Sequence, residues 1–199
     1  LFRSNVSGSY NSFIGVSSGA SNISGSNNTF IGALSGVLNT SGSGNLFVGN
    51  SAGRFNTTGS NNSFMGISAG YTNTTGADNI TIGAQSLYLN STGNANIALG
   101  TSSLYNTTGS NNLGFGAFAG SVNTSGNSNT YLGAFANASA SGFSSSTAIG
   151  AGAIVGASNA LVLGGTGTSY VNVGIGTTTP SSSLTIRGTA GNNPLLIAS

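Results

Sequence analysis

A glycine preceded by an apolar residue returns at Gly15, Gly32, Gly49, Gly66, Gly83 and Gly100, seventeen residues apart each time. The series continues at Gly116 (sixteen on), Gly133 and Gly150 (seventeen each) and Gly164 (fourteen on). Ten marks with nine near-equal intervals make this chain a repeat, and so short a repeat admits few architectures. Helix-pair repeats take about 34 residues and propeller blades about 40–50. Helix is opposed by composition as well: Gly, Ser, Asn and Thr fill 118 of the 199 positions, and all four lower helix stability. Two short strands and two turns fit the unit. Stacked units of that kind predict an all-β fold, a parallel β-solenoid of about ten coils with a 17-residue period.

The first strand of each unit runs up to the marker glycine, as in Asn28-Thr29-Phe30-Ile31 and Asn62-Ser63-Phe64-Met65. The residue before each marker is apolar: Ile14, Ile31, Val48, Met65, Ile82, Leu99, Phe115, Leu132, Ile149 and Leu163. These ten are the expected core. One position earlier the residue is often aromatic, at Phe13, Phe30, Phe47, Phe64 and Tyr131. Neighbours on a strand face opposite ways, so both faces carry apolar groups. A strand apolar on both faces implies one face inside the coil and the other against a second chain. Self-association is therefore expected. Equivalent positions stack in a solenoid, so Asn11, Asn28, Asn45, Asn62, Asn79, Asn96, Asn112 and Asn129 are expected to form an amide ladder. Turns of the Asn-Thr-Thr-Gly type recur at Asn39, Asn56, Asn73, Asn106 and Asn123, where Gly supplies positive φ and Asn bonds its own backbone.

Charge is almost absent. Three Arg, one acid (Asp78), no His, no Cys and no Lys leave a net charge of +2. Zinc, calcium and magnesium cages need several imidazoles, thiolates or carboxylates, so no metal or other cofactor is expected. Acid–base chemistry would fall to Asp78 and six Tyr, and the many Ser have no base to activate them. The expectation is a protein that is not an enzyme. Arg3, Arg54 and Arg187 lie far apart and make no nucleic-acid footprint. No run of about 20 apolar residues marks a membrane span.

The units resemble the left-handed parallel β-roll head repeats of trimeric autotransporter adhesins. Ser146-Thr147-Ala148-Ile149-Gly150 and Asn96-Ile97-Ala98-Leu99-Gly100 echo that family's Asn-Ser-x-Ala-Ile-Gly signature, and the 14-residue unit Ala151 to Gly164 comes nearest its usual coil length. The 17-residue unit, with Asn-Thr-Thr-Gly and Ser-Leu-Tyr (Ser86-Leu87-Tyr88, Ser103-Leu104-Tyr105), departs from it. That variant resembles repeats of tail-fibre-like surface and phage proteins that precede a self-cleaving intramolecular chaperone. Val171 to Pro180, followed by Ser183 to Gly188, is similar to the connector before that chaperone. The likeness spans roughly residues 10–190. It implies a repeat region at 1–165, a β-rich connector at 166–199, a homotrimer, an extracellular place on a cell surface or virion appendage, and a piece of a longer protein.

The expected function is a rigid, protease-resistant structural fibre segment, able to extend as a filament and adhesive to a surface glycan or host-cell receptor. Adhesion would come from outward loops, the best candidate being the irregular unit Ala134 to Gly150 with Asn137, Ser139, Ser141 and Ser144-Ser145-Ser146. Other readings are ice binding by stacked Thr40, Thr57, Thr74, Thr107 and Thr124, and glycan contact through Tyr71, Tyr88 or Tyr105. Adjacent Thr pairs such as Thr57-Thr58 face opposite ways on a strand, which disfavours a flat ice face. Asp78 sits where other units carry Asn27, Asn61 and Asn111 and reads as a turn substitution. Twelve Asn-x-Ser/Thr sequons occur, and Asn39, Asn56 and Asn73 are the ones open to glycosylation if their turns are exposed.

Overall fold

The computed structural model describes residues 5–165, 172–175 and 177–186. In chain order the strands are β1 (Ser12–Ile14), β2 (Thr29–Ile31), β3 (Leu46–Val48), β4 (Ser63–Met65), β5 (Ile80–Ile82), β6 (Ile97–Leu99), β7 (Leu113–Phe115), β8 (Thr130–Leu132), β9 (Asn137–Ala138), β10 (Thr147–Ile149), β11 (Ile154–Val155), β12 (Leu161–Leu163), β13 (Val173–Ile175) and β14 (Leu184–Ile186). β1 to β8, β10 and β12 form one ten-stranded parallel sheet, so the coil makes about nine turns. β9 pairs with β11, and β13 with β14, each in parallel. No helix occurs among the described residues. Of the expected connector, residues 166–171, 176 and 187–199 lie outside the described residues, as do Arg3 and Arg187.

Register is strict: Phe13 pairs with Phe30, Phe30 with Phe47 and Phe47 with Phe64. The 16-residue unit does not disturb it, since Ile97-Ala98-Leu99 still pairs with Leu113-Gly114-Phe115. Each marker glycine turns the chain out of the strand at φ between +119 and +139, except Gly164 at +89. A Cβ at Gly66 would lie 2.5 Å from the Gly83 carbonyl oxygen. Both the dihedral and the closeness of the next coil require glycine there.

The core sits one position away from the residues expected to form it. In a three-residue strand the first and third side chains share a face and the second takes the other. The second points inward: Phe30, Phe47, Phe64, Thr81, Ala98, Tyr131 and Ala148 are fully buried. The row Ile14, Ile31, Val48, Met65, Ile82, Leu99, Phe115, Leu132, Ile149 and Leu163 lies outside, with Ile14 62% and Phe115 51% exposed. Both rows are apolar, so alternation alone does not say which one the coil encloses.

The inner row shows how one core volume is filled in two ways. Phe13, Phe30, Phe47 and Phe64 stack face to face at 4.8–4.9 Å with planes within 8°. Four residues after the marker these coils carry glycine, and a Cβ on Gly36 would sit 2.6 Å from the Phe30 ring. In the next two coils the large side chain moves across. Thr81 and Ala98 replace Phe, and buried Leu87 and Leu104 replace Gly. Both Leu adopt the left-handed conformation, at φ 52 and 48, which costs about 1–2 kcal/mol. Burying a Leu side chain returns about 1.5–3 kcal/mol, enough to offset it. At β7 both positions are glycine, Gly114 and Gly120, and Leu104 and Tyr131 fill the space from the coils on either side.

This complementarity fixes a test. Leu87→Gly empties the core and should lower stability by about 2–4 kcal/mol, and Thr81→Phe alone should overpack by about 1–3 kcal/mol. The double variant restores the Phe–Gly pairing and removes the Thr81 hydroxyl, which is buried without a hydrogen-bond partner. In denaturant melts it should approach the parent. Simple addition of the two losses would contradict the swap.

Candidate functional site

Two buried amide ladders run along the coil, one from Asn11 to Asn129 and the other from Asn22 to Asn90. The first is the expected one. The Oδ1 of Asn28 accepts the backbone N–H of Asn45 at 3.0 Å, and the pattern repeats from Asn11 through Asn129. All of its members are buried except Asn11, which is half-buried. The ladder ends on Ser146, whose N–H and hydroxyl both donate to Asn129 Oδ1.

The second ladder was legible only as a set of turns. Asn22, Asn39, Asn56, Asn73 and Asn90 are fully buried, and each Nδ2 donates to the Oδ1 one coil below at 2.7–2.9 Å. The two ladders meet on shared glycine carbonyls. Gly59 O accepts from Asn45 Nδ2 and Asn56 Nδ2, both at 2.9 Å, and Gly42, Gly76 and Gly93 do the same. Both lone pairs of each carbonyl are thereby used.

Burial overturns the glycosylation reading: Asn39, Asn56 and Asn73 are 0% exposed, so a folded coil offers none of them to a glycosyltransferase. Asn106 does not belong with them either. The one-residue deletion in its unit places Thr107 at the buried ladder position and turns Asn106 outward, where its Nδ2 donates to Ser121 O at 2.7 Å. The unit Ala134 to Gly150 is also less of an outward loop than expected. Asn137 and Ser146 are buried, and Asn137 binds Ser121 and the Val122 N–H, while Ser139, Ser141 and Ser145 are exposed.

The hydroxyls of Thr40, Thr57 and Thr74 donate to carbonyls one coil up at 2.8–3.0 Å. They serve the stack and are not held free for water. Asp78 shares the left-handed corner position (φ 58) with Asn27, Asn61 and Asn111, and accepts a hydrogen bond from Asn61.

Two features face outward. The first is the apolar row that ends each strand. The second is a ridge of rings, in which Phe55 meets Tyr71 edge-on, and Tyr71, Tyr88 and Tyr105 stack at 4.8–5.0 Å. Arg54 lies 5.6 Å from the Phe55 centroid and 5.8 Å from that of Tyr71. Desolvation raises the Tyr88 phenol above its ordinary pKa, as do its neighbours Tyr71 and Tyr105, with Arg54 opposing. Burial raises that of Tyr131 in the core. Beyond Tyr105 the ridge gives way to a groove of about 630 Å³ walled by Tyr105, Asn106, Phe118 and Val122.

Among the described residues no group of three His, Cys, Asp or Glu is gathered, and no helix is long and apolar enough to cross a membrane. Comparison of the chain with protein families, curated proteins and solved structures finds no match.

The ladders separate adjacent asparagines in function. Asn62→Ala leaves the Asn79 N–H buried without its acceptor and should cost on the order of 1–3 kcal/mol. Asn61 is exposed at positive φ, so Asn61→Gly should change stability by less than about 0.5 kcal/mol. Thermal melts of the two variants check the contrast.

Proposed function

We propose that this chain is a structural segment of an extracellular fibre, in which copies associate through the outward apolar row as a homotrimeric rod. The observation that carries this reading is the row itself. One apolar side chain per strand, from Ile14 to Leu163, continues over all ten strands of the sheet, and seven of the ten are exposed. Leu46, Ile80, Ile97, Leu113 and Leu161 widen it from the other outward position of the strand.

A second copy is the occupant that fits. The row repeats with the strand spacing of about 4.8 Å, and a parallel rod of the same sequence presents the same spacing opposite it. Full burial of such a side chain is worth about 1.5–3 kcal/mol, and these are about half exposed in one copy, so it takes the row as a whole, covered on each copy, to exceed the association cost of about 4–15 kcal/mol. Three copies, the left-handed turn of the coil and the extracellular setting follow from the resemblance to adhesin heads and tail-fibre repeats. The mechanism is mechanical. Inter-coil hydrogen bonds run along the axis, apolar contacts run between copies, and short tight turns offer a protease little extended chain.

Light scattering on the purified 199-residue chain should give about three times its 19.2 kDa. Ile82→Lys combined with Phe115→Lys places charges on the outer row, where they do not disturb the coil interior. This variant should fall to the monomer mass with an unchanged circular dichroism spectrum. A wild-type chain that stays at 19.2 kDa contradicts the reading.

A further inference from the structure

We infer that the groove beyond Tyr105 is a binding subsite for an uncharged sugar ring of a glycan, formed where the repeat loses one residue. The ring stack Tyr71–Tyr88–Tyr105 covers each ring by the next, so ring faces within it are occupied. The unit that follows Tyr105 carries Ser121 and Val122 instead of an aromatic, and the upper face of Tyr105 is left without a ring on it. A second stack begins on the other wall. Phe118 and Phe135 lie 5.3 Å apart with planes within 6°, and the residue in their row one coil below Phe118 is Ser102. One ladder therefore ends and another starts at the same groove, and each leaves one aromatic face open to it.

The polar complement suits a neutral polyol. Asn106, turned outward by the deletion, holds an amide at the rim with one bond to Ser121 O. Gln85 and Ser102 supply a further amide and hydroxyl on the opposite side. No charged residue lines the groove, and Arg54 is occupied with Phe55 and Tyr71. Single-stranded nucleic acid also stacks on aromatic rings, but its backbone calls for a cationic track that is absent here. Pockets that bind small neutral ligands combine apolar walls with a few fixed polar groups. A sugar ring, with an apolar C–H face and hydroxyls around its edge, matches both.

This subsite rests on the fibre reading only in lying on the outside of the rod. The test uses the purified chain and a printed panel of neutral gluco-, galacto-, manno- and N-acetylglucosamine oligosaccharides. Each bound sugar is then titrated in solution by saturation-transfer NMR, with light scattering on the same samples. Binding should fall at least tenfold in Tyr105→Ala and Asn106→Ala.

A blocking variant separates binding from folding. Ser102→Phe extends the Phe118–Phe135 stack by one ring into the groove, at a position whose left-handed backbone already carries Phe at 118 and 135. It should keep or raise the melting temperature and abolish binding. Binding that survives Ser102→Phe, or a panel on which the wild type binds nothing, overturns the subsite. A trimer that binds no sugar leaves the fibre reading standing, and a monomer that binds sugar sinks only the trimer.

Discussion

The structure depends on a side-chain amide that bonds the coil above it. Strands of three residues are only part of each 17-residue unit, and backbone bonds between coils continue through the turns, as from the Gly36 N–H to Ala52 O and the Thr40 N–H to Thr57 O. The asparagines complete that network at the corner before each strand, where the Asn45 N–H meets the Asn28 amide oxygen instead of a backbone carbonyl. From Asn11 to Asn79 each first-ladder Asn accepts a backbone N–H from the next coil and donates to a glycine carbonyl, which the second ladder also reaches. Buried polar groups stabilise when every donor and acceptor is paired, and they cost heavily when one is not. The ladders respond to coil length: the 16-residue unit keeps the first ladder, with the Asn112 N–H on Asn96 Oδ1, and gives up the second. That unit runs from Gly100 to Gly116. There Thr107 takes the place of an Asn, the second ladder is broken, and Gly109 O keeps only the bond from Asn96.

Charge poverty follows from the same geometry. Stacked coils place like over like at about 4.8 Å, so a charge in the repeat meets its own copy in every coil. Asn, Ser and Thr give hydrogen bonds without that repulsion. Arg54 and Asp78 each occur in one coil only, and each lies on the outside next to a neutral partner.

Much of this was legible in the sequence, because a period of seventeen with an invariant glycine leaves little besides a solenoid, and the Asn28-to-Asn129 ladder follows from stacking. The inner face was not legible from alternation, since Phe30 and Ile31 are both apolar. The signal that decides it is a pairing within units: Phe with Gly four after the marker, and Thr81 or Ala98 with Leu. Only residues that share an enclosed space trade volume in that way. Asn39, Asn56 and Asn73 read as turn residues because they are. What the motif could not reveal is that a turn can point its amide into the axis of the coil. Asn106 looked equivalent because Asn-Thr-Thr-Gly is intact there, although the deletion had moved it by one place. The groove arises from that displacement, and neither composition nor motif points to it.

The central claim is that buried side-chain amides lock the coils together alongside the backbone bonds of the turns. Hydrogen exchange of the Asn side-chain NH₂ groups, followed residue by residue by NMR, tests it most directly. The account predicts that Asn28, Asn45, Asn62, Asn79 and Asn56 exchange as slowly as the backbone N–H groups of β2 to β5, while Asn61 and Asn111 exchange at the rate of free amides. Fast exchange at the ladder positions, with the strands still protected, would contradict it.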